Sequence, residues 1–385
     1  MKKLLVLAMV LVLAAPLFAE TTIGGEFDYY MVNGFEKDGG DNGRSFVDNW
    51  DKGEVDFKAG VGDYSKVLIE LEEDGDWNQK AGTYPEGTPS FNYFRVQTDW
   101  GKFFGLDGIG IKTDIGLNDY GTFDNVDFTG YNYENADSTL FIGNPDLDKD
   151  FGWKLSLSFV DGLVQPYYAM NFDTVAVDEG NDMEAQFIIG SGFDFNGMGL
   201  PLWIEAYFNK MNAEDNNLFG VEAMYDLAIA DMNFKIGGFL TTATDGDNRG
   251  ESWGFGVAFE AFGAKIDASC GGYFGDEEYF NAPDTSPFSV LGLSASYDIL
   301  DWLAVNAGLS LAFGDYKENA VGDKTFQSFE AGVIVKPDKG VKYKLGYIYA
   351  EEDAVGNGRL RTRTLNTKKL AGEKGGLYFV TQIDF

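Results

Sequence analysis

The chain has 385 residues with 50 Gly, 33 Phe, 20 Tyr, 7 Trp, one Cys and no His, which removes imidazole-ligated zinc chemistry, a Ser-His-Asp hydrolase and His-based acid/base catalysis. Acids outnumber bases 62 to 29, a net charge of −33, so a polyphosphate partner is repelled and nucleic acid is not expected. At 44% hydrophobic and 16% aromatic the chain is too apolar for a disordered acidic polymer and long enough to fold.

Lys2 and Lys3 open the chain, an apolar run extends from Leu4 to Phe18, and the small Ala19 closes it. This pattern predicts a cleaved export signal over 1–19 and one mature domain over 20–385. The run is shorter than the roughly 20 residues of a membrane-spanning helix, and no later apolar stretch reaches that length. Cys270 lies far from the predicted cut and has no second cysteine to pair with, so neither lipid attachment there nor an intramolecular disulfide is expected.

Beyond residue 19 the dominant period is two. Ile109, Ile111, Thr113, Ile115 and Leu117 alternate with Lys112 and Asp114, and Trp153, Leu155, Leu157 and Phe159 with Lys154, Ser156 and Ser158. Further on, Leu303, Val305, Ala307, Leu309 and Leu311 oppose Asn306, Gly308 and Ser310, and Val341, Tyr343, Leu345, Tyr347 and Tyr349 oppose Lys342, Lys344 and Gly346. Each reads as a strand with one apolar and one wet face. Such segments fall near 22–32, 53–62, 64–73, 91–100, 108–117, 151–160, 163–173, 183–195, 200–210, 217–228, 231–243, 251–261, 264–274, 288–298, 302–313, 325–336, 341–350 and 376–385. The expected count is about 18 strands, with 16 as the alternative.

Every second gap is short, as at Asp63, Asp161-Gly162 and Phe262-Gly263, whereas the others are mostly long and polar, above all 33–52, 118–150 and 351–375. Tight turns at one end and long loops at the other, joining strands of about ten residues, describe a transmembrane antiparallel up-and-down β-barrel. Closure is required by hydrogen bonding, because an open sheet edge in hydrocarbon leaves each N–H and C=O unpaired at several kcal/mol. A secreted sandwich or propeller also alternates. It does not need the two-sided sorting of gap lengths, and no propeller-type repeat is present.

The last residues sharpen this reading. Leu377, Phe379, Thr381, Ile383 and Phe385 alternate with Tyr378, Val380, Gln382 and Asp384, and the chain stops on Phe385. Here the sequence resembles the Gram-negative outer-membrane β-barrel class, and in layout its general porins. The resemblance implies that Phe379, Ile383 and Phe385 form the signal read by the barrel-assembly machinery. It also implies a cell outer-membrane location among lipid and lipopolysaccharide.

A barrel of 16 to 18 strands encloses an aqueous lumen. The polar positions place Glu54, Asp56, Lys58, Glu70, Glu72, Arg95, Lys112, Asp114, Glu205, Glu222 and Lys344 on the inner face, since ionised groups at this density do not face lipid, where each Lys or Arg costs ~2–4 kcal/mol at mid-depth. Loop 118–150 carries Asp119, Asp124, Asp127, Glu134 and Asp137 among its acids, and aromatics including Tyr120, Phe123 and Phe128 suited to packing it on a wall. In general porins the third outer loop enters the lumen and constricts it. On that pattern the loop carboxylates face basic wall residues Lys58, Arg95, Lys112 and Lys344; the other reading is a solvated loop arching outside. The function expected is passive diffusion of ions and small hydrophilic solutes with weak cation preference, in a homotrimer. The alternatives are a sugar-type selective channel, with Trp50, Trp77, Tyr131 and Tyr133 as stacking surfaces, and a surface adhesin. No enzyme, cofactor or metal is expected: Glu351-Glu352-Asp353 and Asp245-Gly246-Asp247 match no EF-hand spacing. The basic loop with Arg359, Arg361, Arg363, Lys368, Lys369 and Lys374 remains open between lipopolysaccharide binding, pairing with the acidic loop, attraction of an anionic solute and plain solvation.

Overall fold

The structure is a computed structural model that describes residues 21–34, 46–74, 90–118, 120–123, 150–172, 185–210, 217–230, 232–245, 248–275, 286–312, 328–350 and 375–384. The 1–19 segment, Phe385 and most of the long loops lie outside these residues. In chain order the strands are β1 (Thr21–Gly34), β2 (Phe46–Val61), β3 (Ser65–Asp74), β4 (Ser90–Asp99), β5 (Ile109–Asn118), β6 (Asp150–Phe159), β7 (Val164–Phe172), β8 (Ala185–Asp194) and β9 (Leu202–Lys210). They continue as β10 (Asn217–Ile229), β11 (Met232–Asp245), β12 (Asn248–Ala261), β13 (Ala264–Gly275), β14 (Ser286–Leu300), β15 (Leu303–Ala312), β16 (Ser328–Asp338), β17 (Val341–Ala350) and β18 (Gly375–Asp384).

All eighteen strands form one sheet in which each pairs antiparallel with its sequence neighbours, and β1 pairs with both β2 and β18. The sheet is therefore closed and has no edge strand, so every ladder donor and acceptor has a neighbour to meet. The count is eighteen rather than sixteen. The main boundary difference is at β2, which starts at Phe46 although Asp48, Asn49, Asp51 and Lys52 make the region read as loop; pairing with β1 overrides that local polarity.

Closure separates a concave from a convex face. Large apolar side chains of one parity stay exposed, among them Phe94, Ile115, Phe219, Val221 and Leu240. Side chains of the other parity crowd inward and are buried even when charged: Glu70, Asp114, Glu205, Glu222 and Glu330. The registers carry this parity from strand to strand, as in Glu205↔Glu222, Tyr167↔Gly190↔Tyr207 and Asp114↔Lys154. Phe379 and Ile383 of the predicted assembly signal fall on the outward face of β18, where Tyr343 stacks on Phe379 with ring centroids 6.0 Å apart.

Glycine on the inner wall makes room for rings. Tyr207 lies across Gly220 so closely that an added Cβ would occupy the ring's position, and the Tyr378 hydroxyl lies within 2.6 Å of where a Cβ would stand on Gly332 or Gly346. Phe262-Gly263, joining β12 to β13, has both φ values positive (52° and 79°), the mirror-image turn whose twist matches that of the flanking strands. Between β4 and β5 the sequence predicts only a turn. The structure has a five-residue helix there, α1 (Trp100–Phe104), too short to leave a periodic signal.

Candidate functional site on the inner wall

The chain leaving β5 does not continue straight away from the barrel. Tyr120 is 1% exposed and packs with inward-facing Tyr167, Ala169, Ile188, Tyr207, Leu218 and Ala243 from β7 to β11. The ring of Phe123 meets Tyr167 and Trp203 edge-on, at 5.0 and 5.2 Å between centroids. The first residues of loop 118–150 therefore lie on the lumen face of the wall. Burial of such rings is worth about 2–3 kcal/mol each.

Polar contacts fix the same segment. The Phe123 N–H donates to both oxygens of Glu205, each at 3.2 Å, and the Tyr167 hydroxyl donates to Glu205 Oε1 at 2.6 Å. From β6, Lys154 Nζ donates to the carbonyl of Gly121 at 2.6 Å and to that of Thr122 at 3.4 Å. The same ammonium lies 5.2 Å from the ring centroid of Phe123 and 4.8 Å from that of Tyr167, within cation–π range. One carboxylate and one ammonium on the wall thus satisfy the loop backbone that a dry interface would otherwise leave unpaired.

A charged band continues around the wall. Arg95 Nη1 lies 3.1 Å from Asp114 Oδ2, and Gln97 donates to the same oxygen at 3.4 Å. The Arg95 guanidinium also lies over the Tyr93 ring, 4.9 Å from its centroid. The Tyr93 hydroxyl donates to Asp56 Oδ1 at 2.8 Å, and Lys58 Nζ is 3.7 Å from Asp56 Oδ2. Carboxylate oxygens of Glu54, Asp56 and Glu70 lie within 4.8 Å of one another; among the described residues these are the carboxylates spaced to hold a cation. Across the barrel, Asn306 donates to Glu330 at 3.2 Å and Ser294 to Asp267 at 3.1 Å.

The predicted basic wall residues Lys58, Arg95, Lys112 and Lys344 all have inward parity. Lys58 and Arg95 meet carboxylates of the wall itself: Asp56 is two residues from Lys58 on the same face of β2, and the β4–β5 register sets Asp114 diagonally beside Arg95. The loop acids Asp119, Asp124, Asp127, Glu134 and Asp137 lie outside the described residues. So do the side chains of Trp50, Trp77, Tyr131 and Tyr133, and the basic loop with Arg359, Arg361 and Arg363. Sequence reasoning missed Lys154 as a site residue. Its place on the polar face of β6 was visible, but its engagement with the loop was not.

No family model matches the chain, and no curated protein matches it. Solved structures of similar fold include Acinetobacter baumannii OccAB3, with TM-score 0.55 and 10% identity over 95% of this chain and 99% of that one. Pseudomonas aeruginosa OprD matches with TM-score 0.52 and 9% identity over 96% of each chain. A BenF-like porin from Pseudomonas fluorescens gives TM-score 0.52 and 10% identity over 96% of this chain and 99% of that one. At these identities the likeness is one of fold: a closed, porin-type antiparallel barrel of eighteen strands.

Proposed function

We propose that the chain is an outer-membrane porin, a water-filled channel for passive diffusion of ions and small hydrophilic solutes. Loop 118–150 narrows its lumen, and its charge favours cations weakly. The observation that carries this reading is the pairing of an ionised inner face with an apolar outer face on a sheet without edges, the arrangement a bilayer demands of a spanning β-structure. Support for the constriction comes from Tyr120 and Phe123, which hold the loop's first residues on the inner wall beside Glu205 and Lys154. Support for cation preference comes from the net charge of −33 and from the Glu54, Asp56 and Glu70 cluster, within the limits set by a Debye length of about 8 Å at physiological salt. Export through the 1–19 signal, insertion guided by the last strand and assembly as a homotrimer belong to the same reading.

Planar-bilayer recording tests it. Purified protein is expected to give discrete conductance steps, with reversal potentials in a salt gradient that favour potassium over chloride. Absence of conductance would favour the adhesin reading, and a chloride preference would remove the selectivity claim. A sugar-selective channel is the second reading, favoured by the Phe123, Tyr167 and Trp203 rings gathered on the lumen side. Current block by one saccharide at millimolar concentration would establish it.

A further inference from the structure

We propose that Glu205 and Glu222 hold one proton between them, that this shared proton keeps residues 120–123 against the lumen wall, and that its loss at alkaline pH releases them. The inference rests on the reading that loop 118–150 narrows the lumen, and names what regulates its attachment. Glu205 and Glu222 stand directly opposite each other in the β9–β10 ladder, a pairing that sets Cβ atoms about 4.5–5.5 Å apart. Their carboxyl groups are within hydrogen-bonding reach of each other, and the two residues are 0% and 1% exposed. Two carboxyl groups this close, with water excluded, do not both ionise; one proton stays with the pair.

The surroundings decide which member carries it. On the inner face Glu222 lies between Gly220 and Met224 along β10, and between Glu205 and Phe239 across the ladders. Its diagonal neighbours are Trp203 and Tyr207 on β9, and Gly237 and Thr241 on β11. None of these side chains is basic. Glu205, by contrast, accepts the Phe123 N–H at 3.2 Å on each oxygen and the Tyr167 hydroxyl at 2.6 Å, and β8 beside it contributes only Gly190 and Gly192. Donors favour the charged form of a carboxyl group, so Glu205 is the carboxylate and Glu222 the acid whose O–H donates to it. Among the described residues the ammonium at this patch is Lys154, 4.8 Å from the Tyr167 ring centroid. With the proton in place the patch holds one positive and one negative charge; without it, one ammonium faces two carboxylates. The other ionisable groups nearby are the Tyr167 and Tyr207 hydroxyls, Asp114 opposite Lys154 and bound to Arg95, and exposed Asp226 of β10, 4.0 Å from Lys235.

What gives way on deprotonation is the attached segment rather than the wall. Hydroxide takes the Glu222 proton as water, and the repulsion this creates acts between two strands that the ladder holds in register. It is relieved when a carboxylate swings out of the dry patch or water enters it. Either movement takes Glu205 away from the Phe123 N–H and opens the packing of Phe123 on Tyr167 and Trp203, whose ring centroids lie 5.0 and 5.2 Å from its own. The proton is bound below its titration point and lost above it, so the segment is held at neutral pH and released as pH rises.

The test measures hydrogen exchange at the Phe123 amide by NMR in detergent micelles, from about pH 6 to about pH 9.5, short of free Tyr and Lys titration. Wild type, E222Q and D226N are compared at the same pH, which cancels the intrinsic exchange rate. Glutamine at 222 keeps an N–H donor for Glu205 and has no proton to lose. Wild type and E222Q should agree at the low end, and at the high end the wild-type amide should exchange roughly tenfold faster than that of E222Q. D226N should follow wild type. A wild-type amide as protected as that of E222Q over the whole range would overturn the proposal. So would an E222Q amide that loses protection in step with wild type, since the titrating group would then lie elsewhere. E222L offers neither donor nor proton and should be less protected than E222Q at every pH; equal protection would overturn the donor role of Glu222. Bilayer recordings of the same proteins separate this inference from the reading it rests on. Conductance that rises with pH in wild type but not in E222Q supports both, whereas protection that falls at constant conductance leaves the shared proton standing and removes the constriction.

Discussion

Replacing Glu205 by leucine removes the acceptor of two donors at once. The carboxylate is fully buried and receives the Phe123 N–H at 3.2 Å and the Tyr167 hydroxyl at 2.6 Å. Hydrogen bonds to a charged group are worth about 1.5–3 kcal/mol each. E205L should therefore weaken the attachment of the loop by about 3–5 kcal/mol. At 1.4 kcal/mol per tenfold, the loop-held population relative to the released one falls by roughly two to three orders of magnitude. E205Q retains an oxygen for the Phe123 N–H and should lose about 1 kcal/mol. Single-channel recording should show E205L with larger mean conductance and more current noise than wild type, and E205Q close to wild type. Hydrogen exchange at the Phe123 amide reads the same contact directly, and heat-dependent gel migration checks that the barrel is intact. If E205L matches wild type in conductance, noise and Phe123 protection, Glu205 does not hold the loop.

Lys154→Met removes the donor to the Gly121 and Thr122 carbonyls and should act in the same direction; combined with E205L its effect should be less than additive, as a double-mutant cycle would measure. Arg95→Gln leaves Asp114 without the guanidinium now 3.1 Å away, so the reversal potential in a potassium chloride gradient should move further toward cation preference; a move toward chloride contradicts the field assigned to this wall. Ile115→Lys puts a charge on an outward position that is 48% exposed and should lower stability in lipid vesicles by about 2–4 kcal/mol near mid-depth, measured by denaturant titration. Ser294→Lys, on the inner face beside Asp267, should leave the same midpoint nearly unchanged. Gly220→Ala drives a methyl group into the Tyr207 ring and should destabilise by about 1–3 kcal/mol, whereas in a Y207A background, where the ring is absent, the same substitution should cost much less.

The alternation was legible because a strand has period two and a membrane barrel gives its two faces opposite solvents. Trp153 against Lys154 and Ile115 against Asp114 already separate outside from inside, and eighteen such segments in sequence match the eighteen strands of the sheet. Tyr120 and Phe123 were recognisable as rings suited to holding the long loop on a wall. Their partners were not, since Glu205 is 82 residues from Phe123 in the chain and nothing local couples them. Helix α1 left no signal because five residues give barely more than one helical turn, while its strand-like flanks dominate the pattern.

Composition and alternation by themselves determined the class of fold, the polarity of each face and the end of the barrel that carries the long loops, because each depends only on residues near one another in sequence. Tertiary structure alone decided that the Arg95 guanidinium meets Asp114 of the neighbouring strand. It also decided that Glu205 and Lys154 converge on the same four-residue segment. Closing the sheet fixes register, and register brings together side chains whose separation along the chain carries no information about their separation in space.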